Sequence, residues 1–298
     1  MKSSVRLPAF AKVNLCLHVI GRRPDGYHEL RTIFQAIGLH DTLELSRARR
    51  PGISLEIDDP ALPSGRENLV YRAVEAMRRE LNYRGGIAAR LEKSIPVARG
   101  LGGGSSDAAS ALIGMLRLTG KKLPLERLME IGAGLGADVP FFFFGGRALG
   151  VNRGDEIYPL PDEKKSWAVV VSPAEIAVST RDAFRWISSD LTKRQSPRKI
   201  FGFCALCWSR QVTALENDFE APVFRRHRRL GEIRRRLLER GAARAALAGS
   251  GSAVFGLFRS PAQARRAAVS FPGDQVFLVE TLAREDYVRA LGPPPITA

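Results

Sequence analysis

The chain has 298 residues, a formal net charge of +15 and three cysteines. This length predicts one large domain or two of medium size. Its apolar residues occur in short periodic runs, never in the stretch of 18 or more that crosses a bilayer, so we expect no membrane partner. Lys12 and Asn14 interrupt the apolar N-terminal segment, which argues against a signal peptide. An odd cysteine count suits a reducing compartment, and the sequence therefore indicates a cytoplasmic protein.

Two features of the second half leave alternatives open. The basic excess is concentrated in residues 224–246, where apolar residues recur at helical spacing: Leu230, Ile233, Leu237 and Leu238. We expect an amphipathic helix with solvated arginines, the alternative being contact with a polyanion. Cys204 and Cys207 have the spacing of metal or redox cysteines. Because no second pair and no nearby histidine completes a zinc site, buried or incidental thiols are favoured.

The N-terminal half opens with β-like alternation. In SVRLPAFAKVNLCLHVIG the apolar residues alternate with Lys12, Asn14, Cys16 and His18, which is the period of a half-buried strand. Lys12 and Asn14 are therefore predicted to point the same way. RRPDGYHEL contains a turn signal, DTLELSRA and ISLEIDD read as strands, NLVYRAVEAMRREL as a helix and IAARLEKSIPV as a strand.

PVARGLGGGSSDAASAL, residues 96–112, places a glycine-rich loop before a helix. Ser105, Ser106 and Asp107 mark the predicted start of that helix and Gly120 its end. Backbone N–H groups at a helix N-terminus lack intrahelical partners and bind phosphate, and glycines let the backbone approach closely. The two serine hydroxyls can donate to phosphate or ligate a phosphate-bound Mg²⁺. A phosphate site is favoured over a flexible linker.

Common nucleotide-binding motifs do not fit this loop. A P-loop requires Lys where Ser105 stands, the third glycine of a dinucleotide fingerprint is missing, and no HRD or DFG triplet occurs. Asp138, in GAGLGADVPFFFF, is a carboxylate beside much apolar surface, so it is a helix cap, half of a salt bridge or a catalytic group. Tyr27 and His28 form either a small local core or a stacking platform for a base.

The first predicted domain ends after an apolar segment. FFFF, residues 141–144, is predicted as a strand, and the polar stretch 159–165 is predicted as the boundary between domains 1–160 and 161–298. The second half then alternates strands and helices. Beyond the boundary WAVVVSP, AALAGSGSAVFGLF and DQVFLVETL read as strands, and STRDAFRWI and PAQARRAAVSF as helices. Further helices reach Gly241, and the final GPPPITA is expected to be loose. The pattern predicts an α+β or split βαβ domain.

PxxxGLGGGSSDAA resembles the second motif of the GHMP small-molecule kinases. PAFAKVNLCLHVIGRRPDGYHEL, LGADVPFFFFGGRALGVNRGDEI, NDFE and LAGSGSAVFGLF resemble, in order, motifs of the members that phosphorylate 4-diphosphocytidyl-2-C-methyl-D-erythritol. These pieces span residues 8 to about 258. Ala248 replaces the serine that is common there, and FFFF is unusual, but neither departure removes a catalytic group.

The resemblance implies a two-domain α+β architecture: an N-terminal α/β domain with a left-handed βαβ crossover and a ferredoxin-like C-terminal domain. It implies transfer of the γ-phosphoryl group of ATP, with Mg²⁺, to the 2-hydroxyl of that cytidine diphosphate conjugate, in the non-mevalonate route to isoprenoid precursors. The alternatives are a GHMP kinase for mevalonate, homoserine or a sugar, against which DGYH argues, and a nucleic-acid-binding protein, which leaves the glycine loop unexplained. We expect small-molecule partners, no nucleic acid, and a monomer or homodimer.

The resemblance also assigns residues. Asp138 matches the base that takes the hydroxyl proton, and Lys12 matches the partner that keeps it ionised. The positions matched to ATP binding are Asn68, Lys93, Pro96, Gly100, Leu101, Gly102, Gly103, Gly104, Ser105 and Ser106. Those matched to acceptor binding are Asn14, Tyr27, His28, Asp138, Thr180, Phe184, Gly249, Ser250 and Gly251. The metal ligands stay unknown.

Overall fold

The structure is a computed structural model that describes residues 3–191 and 215–297. Cys204 and Cys207 lie outside the described residues. In these two ranges no helix is both long and apolar enough to cross a membrane.

Within the described residues, a mixed sheet of seven strands forms most of the N-terminal half. Its strands are β1 (Ser4–Arg22), β2 (His28–Ala48), β3 (Ile53–Ile57), β4 (Gly86–Glu92), β6 (Arg147–Val151), β7 (Glu156–Pro159) and β9 (Glu216–Asn217). The long strands β1 and β2 pair antiparallel, and β2 also pairs with β4 and β6. The strand pair β3–β4 is parallel and is joined through a helix, which is the crossover connection of this half.

Helices cover this sheet and bury its apolar face. They are α1 (Leu69–Glu80), α2 (Gly103–Thr119), α3 (Leu125–Leu135), α4 (Phe141–Phe144) and, from the end of the chain, α9 (Arg284–Leu291). Helix α2 is buried along nearly its whole length, because its small and apolar residues pack on the sheet and on α1. The burial fixes the N-terminus of α2, and with it the glycine-rich loop.

The second sheet contains β8 (Trp167–Ser172), β10 (Arg244–Leu247), β11 (Val254–Phe258) and β12 (Gln275–Glu280). Its order is β10-β11-β8-β12 and every pair is antiparallel. The accompanying helices are α5 (Thr180–Leu191), α6 (Glu220–Arg226), α7 (Arg228–Glu239) and α8 (Pro261–Ala268). This sheet has the split βαβ arrangement that the sequence pattern allows and the ferredoxin-like order that the resemblance implies.

Several local predictions are wrong. The FFFF segment is the short helix α4: Phe141, Phe142 and Phe143 are all buried, so the helix is surrounded by protein. A short apolar run does not distinguish strand from helix. Helix α2 starts at Gly103, before the predicted serine and aspartate signals, because Gly102 adopts the left-handed conformation and breaks the chain direction.

The basic segment contains the predicted amphipathic helix, with one exception, whereas the tail differs from expectation. Leu230, Ile233 and Leu237 form the buried face of α7. Leu238 is 38% exposed, because it lies one residue past that apolar face. Residues 292–297 of the tail contact the folded chain. Strand β13 (Ile296–Thr297) pairs with β5 (Leu123–Pro124), and the Arg117 guanidinium donates to the carbonyls that end α9. The domain boundary near residue 160 stays a prediction.

Candidate active site

A bulge in β1 decides which of its side chains face a cavity between the two halves of the chain. The β1–β2 register shifts between Asn14 and Cys16, so one extra residue stands in β1. Lys12, Asn14 and Leu17 therefore face the same way, and all three line the cavity. Lys12, Asn14, Cys16 and His18 are all buried, so the predicted half-buried alternation is wrong. The shared direction of Lys12 and Asn14 is confirmed.

The cavity has a volume of about 440 Å³ and lies between the two halves of the chain. Sixteen of the predicted site residues line it: Lys12, Asn14, Asn68, Lys93, Pro96, Gly100, Leu101, Gly102, Gly103, Gly104, Ser105, Asp138, Thr180, Phe184, Gly249 and Ser250. Tyr27, His28, Ser106 and Gly251 do not line it, although Ser106 and Gly251 directly follow lining residues.

Lys12 and Asp138 meet inside the cavity. Lys12 Nζ lies 3.3 Å from Asp138 Oδ2, with exposed side-chain fractions of 4% and 32%. The ammonium group also lies 5.5 Å from the centre of the Phe34 ring and donates to Asn14 Oδ1 at 2.9 Å. Because Asp138 is partly exposed while Lys12 is buried, the carboxylate is the accessible member of the pair.

The glycine-rich loop places the N-terminus of α2 at the cavity. Gly102 has φ +75°, and a Cβ there would stand 2.9 Å from Phe142 Cζ and 3.0 Å from Lys12 Cγ. At Gly100 a Cβ would stand 1.9 Å from the carbonyl oxygen of Ala248, so this glycine is required by chain packing. At Gly104 the nearest atom is Leu69 Cδ1, at 3.7 Å, and the remaining space is open. Gly103, Gly104 and Ser105, the first residues of α2, all line the cavity, as an anion site at this helix N-terminus requires.

A buried network of ion pairs lies beside the first turns of α2. Lys93 Nζ contacts Asp41 and lies 2.7 Å from Asp107 Oδ2, in the second turn of α2. Burial, supported by the charge of Asp41, raises the pKa of Asp107 to about 8, although Lys93 opposes the shift. Burial lowers the pKa of Lys93, but the two carboxylates outweigh it and raise that pKa. Lys93 therefore ties β2, the loop after β4 and α2 together.

Asn68 caps α1 with its side chain. Its Oδ1 accepts from the Val70 amide at 2.8 Å, and its Nδ2 donates to the Pro63 carbonyl at 3.0 Å. The neighbouring wall of the cavity is apolar and is formed by Leu62, Pro63, Leu69, Leu91, Ile95 and Val97. This part of the cavity has the character of a slot for a flat base.

The third glycine loop approaches from the second half. Gly249 has φ +53°, and a Cβ there would stand 3.3 Å from Lys12 Nζ and 2.9 Å from the Gly100 carbonyl oxygen. Asn217 Nδ2 donates to the Gly249 carbonyl at 2.7 Å. Thr180 Oγ1 and Ser250 Oγ lie 3.2 Å apart, which brings α5 and this loop together. Asn217 belongs to the NDFE segment, so the motif was a signal although no role had been assigned to this residue.

His28 stacks on Phe184, with ring centres 4.6 Å apart. Its Nε2 lies 2.9 Å from Ser188 Oγ, and the Ser188 hydroxyl donates to the Phe184 carbonyl at 2.8 Å. Since a hydroxyl has one proton, Nε2–H donates to Ser188, and Nδ1 is left as an acceptor. Burial, with a smaller effect of Arg22, lowers the pKa of His28 and favours this neutral form. Tyr27 is 57% exposed and packs near Arg153.

Sequence reasoning missed several residues of the site. Thr32 and Arg99 both line the cavity, and Asp41 forms an ion pair with Lys93. Nothing in the local sequence marks them, because each acts through a partner distant in the chain. No group of three or more His, Cys, Asp or Glu side chains that could hold a metal occurs in residues 3–191 and 215–297.

Comparisons with known proteins agree with the resemblance. The GHMP kinases N terminal domain matches residues 68–146, and the GHMP kinases C terminal domain matches residues 205–274. A 4-diphosphocytidyl-2-C-methyl-D-erythritol kinase of Solibacter usitatus is 45% identical over 96% of this chain and 90% of its own length. One of Geobacter metallireducens is 41% identical over 93% of this chain and 97% of its own length.

Solved structures give the same result. A crystal structure of 4-(cytidine 5'-diphospho)-2C-methyl-D-erythritol kinase superposes with a TM-score of 0.76 and 35% identity, covering 93% of this chain and 99% of that one. The homoserine kinase of Cytophaga hutchinsonii has a TM-score of 0.74 at 19% identity, covering 95% and 96%, and shares the fold alone. The predicted two-domain fold class is confirmed.

Proposed function

Because this chain belongs to the 4-diphosphocytidyl-2-C-methyl-D-erythritol kinases of the GHMP superfamily, we propose that its cavity transfers the γ-phosphoryl group of ATP to that compound's 2-hydroxyl. The observation that carries the proposal is the Lys12–Asp138 pair, which lies in one cavity with the free N-terminus of α2. The cytoplasmic location, the place in the non-mevalonate route and the state as a monomer or homodimer stay predictions from the sequence.

Asp138 accepts the proton of the attacking hydroxyl. Its carboxylate is the accessible member of the pair, so a hydroxyl can reach one oxygen while Lys12 stays at Oδ2. The buried Lys12 ammonium group holds the carboxylate at Oδ2 and offers its remaining N–H to the transferred group. The oxygen then attacks phosphorus, the bond to the β-phosphate oxygen breaks, and ADP leaves.

The amides of Gly103, Gly104 and Ser105 bind the phosphates. Three cations of the described part of the chain line the cavity, and of these Lys12 is paired with Asp138 and Lys93 with two carboxylates. Arg99 has no carboxylate partner within the described residues; it donates to Ser252 Oγ at 2.7 Å and to the Ala174 carbonyl at 3.1 Å. Arg99 therefore adds the positive charge that a P-loop lysine would supply.

The serines at the start of α2 fit a magnesium ion held mainly by phosphate and water. Ser105 lines the cavity, and Ser106 Oγ is buried without a hydrogen-bond partner among the described residues. Either hydroxyl would serve as a protein ligand, since Mg²⁺ commonly keeps few protein ligands beside nucleotide phosphates. The ion would neutralise charge on the phosphates during transfer.

His28 selects cytosine over uracil. Its neutral imidazole offers Nδ1 as an acceptor, which matches the amino group of cytosine and not the carbonyl of uracil at the same ring position. Phe184 offers an aromatic wall inside the cavity for the base. The DGYH segment thus favours this acceptor. The alternative within the superfamily is a kinase for mevalonate, homoserine or a sugar.

The direct test is ADP release by the purified protein with ATP, Mg²⁺ and one acceptor at a time. We expect turnover with 4-diphosphocytidyl-2-C-methyl-D-erythritol and a kcat/KM at least about a hundredfold lower with mevalonate or homoserine, since unpaired polar atoms strongly disfavour a wrong substrate. Faster turnover with mevalonate or homoserine would contradict the proposal.

A further inference from the structure

A chain of buried hydrogen bonds ends at Lys12. Thr32 Oγ1 lies 2.7 Å from the Cys16 carbonyl oxygen and 2.7 Å from Asn14 Nδ2. Asn14 Oδ1 lies 2.9 Å from Lys12 Nζ. Lys12, Asn14 and Thr32 are each at most 4% exposed, so bulk water cannot replace a missing partner.

The chemistry of the groups fixes the direction of every bond. A carbonyl oxygen only accepts, so the single Thr32 hydroxyl proton is donated to Cys16. Thr32 Oγ1 must then accept from Asn14, which turns the amide NH₂ toward Thr32 and the amide oxygen toward Lys12. An ammonium group only donates, so this is the one orientation of Asn14 that satisfies all four groups.

The β1 bulge brings these residues together. On either side of it the register pairs Asn14 with Phe34 and Leu17 with Thr32. The bulge therefore places Thr32 on the cavity side of β2, next to Asn14, and Thr32 itself lines the cavity. Bulges re-aim side chains near functional sites in this way.

We propose that Thr32 is a positioning residue for phosphoryl transfer: its hydroxyl orients the Asn14 amide, which in turn holds the Lys12 ammonium group at Asp138. The assignment rests on the proposed function, because it gives Lys12 and Asp138 their catalytic roles. Without the hydroxyl, the Asn14 amide can turn over and face Lys12 with its NH₂ group. Two donors would then oppose each other, and Lys12 would leave its position.

A purely structural role of Thr32 predicts a different result. Valine has nearly the same shape and is at least as favourable in a strand, so it would preserve the packing of β2. Serine would lose the methyl contact and keep the hydroxyl. The pair Thr32→Val and Thr32→Ser therefore separates packing from hydrogen bonding.

The experiment measures kcat and KM for both substrates in wild type, Thr32→Val and Thr32→Ser, with Thr42→Val as the matched control on β2. Thr42 does not line the cavity. We expect Thr32→Val to lower kcat on the order of ten- to a hundredfold, as misplacement of a catalytic group does, with the KM for ATP changed less than about threefold. Thr32→Ser should keep at least about half of the wild-type kcat, and Thr42→Val all of it.

A double-variant cycle with Asn14→Ala gives the second readout. If both residues act through one chain, Asn14→Ala/Thr32→Val should lose no more kcat than Asn14→Ala alone. If Thr32→Val does not fold, Thr32→Cys, with its weaker hydrogen-bonding group, replaces it in both measurements and should show an intermediate kcat.

Wild-type kcat in folded Thr32→Val, additive losses in the cycle, or equal losses in the serine and valine variants would each overturn the role of Thr32. An inactive wild type with the cytidyl acceptor would instead refute the proposed function. In that case the same variants are compared on whichever acceptor the wild type phosphorylates, so the two failures stay distinguishable.

Discussion

The two glycines at the start of α2 should respond differently to the same substitution. At Gly104 an added Cβ meets only Leu69 Cδ1, at 3.7 Å, and otherwise enters the open cavity. At Gly102 the same Cβ stands 2.9 Å from Phe142 Cζ and 3.0 Å from Lys12 Cγ, on a residue with φ +75°. We therefore expect Gly104→Ala to obstruct the space available to the ligand, and Gly102→Ala to destabilise the folded protein.

The magnitudes follow from these contacts. Gly104→Ala should leave the free energy of unfolding unchanged or raise it by up to about 1 kcal/mol, since alanine favours a helix. It should remove one charge-assisted hydrogen bond to phosphate, worth about 1.5–3 kcal/mol, and so weaken ATP binding roughly ten- to a hundredfold. Gly102→Ala should cost at least the 1–2 kcal/mol or so of a left-handed alanine, plus the strain of the two contacts.

Urea denaturation and ATP titration check both variants. Gly120→Ala is the control, because Gly120 has φ +71° with no atom within 4 Å of an added Cβ, and it isolates the conformational cost. Gly102→Ala should be destabilised more than Gly120→Ala. An unchanged ATP affinity in Gly104→Ala would refute close phosphate approach at this amide, and equal costs for Gly102 and Gly120 would refute the packing argument.

Three further predictions concern charge and protonation. Arg99→Met should raise the KM for ATP or for the cytidyl acceptor roughly tenfold, the loss of about 1.4 kcal/mol; unchanged KM values for both would exclude a phosphate contact. The KM for the cytidyl acceptor should rise as the pH falls through the lowered pKa of His28, because a protonated ring cannot accept at Nδ1, and a flat profile would contradict that bond. Burial raises the pKa of Asp107 to about 8, so its folded form binds the extra proton and the contribution to stability falls as the pH rises from about 4 to 8. Chemical denaturation across this range should show less decline in Asp107→Asn, and parallel curves would count against the shift.

The sequence identifies the motifs of the site, but it does not show which of their residues contact each other in the fold. The strand period identified β1, and its polar residues correctly placed Lys12 beside Asn14. The bulge after Asn14 was not predictable, because one extra residue changes the pairing with β2 and leaves no mark on composition. Lys12 and Asp138 came from motifs far apart in the chain, and they come within 3.3 Å of each other only in the folded chain.

Other misses have a similar cause. The Phe141–Phe144 run is helical because other elements surround it, a property of tertiary packing. Asp41 and Thr32 look ordinary in sequence, and their roles depend on partners from other strands or loops. Lys93 was matched to ATP binding, and its two carboxylate partners became visible only in the fold.

Single-turnover kinetics of Asp138→Asn tests the central claim most directly. The variant keeps the shape of the side chain and removes the proton acceptor, so with ATP and the cytidyl acceptor bound, the phosphoryl-transfer rate should fall on the order of a hundred- to ten-thousandfold. ATP affinity, measured separately by titration, should stay within about threefold of wild type, because the base does not hold the nucleotide. A folded Asp138→Asn protein that transfers phosphate at close to the wild-type rate would contradict the account.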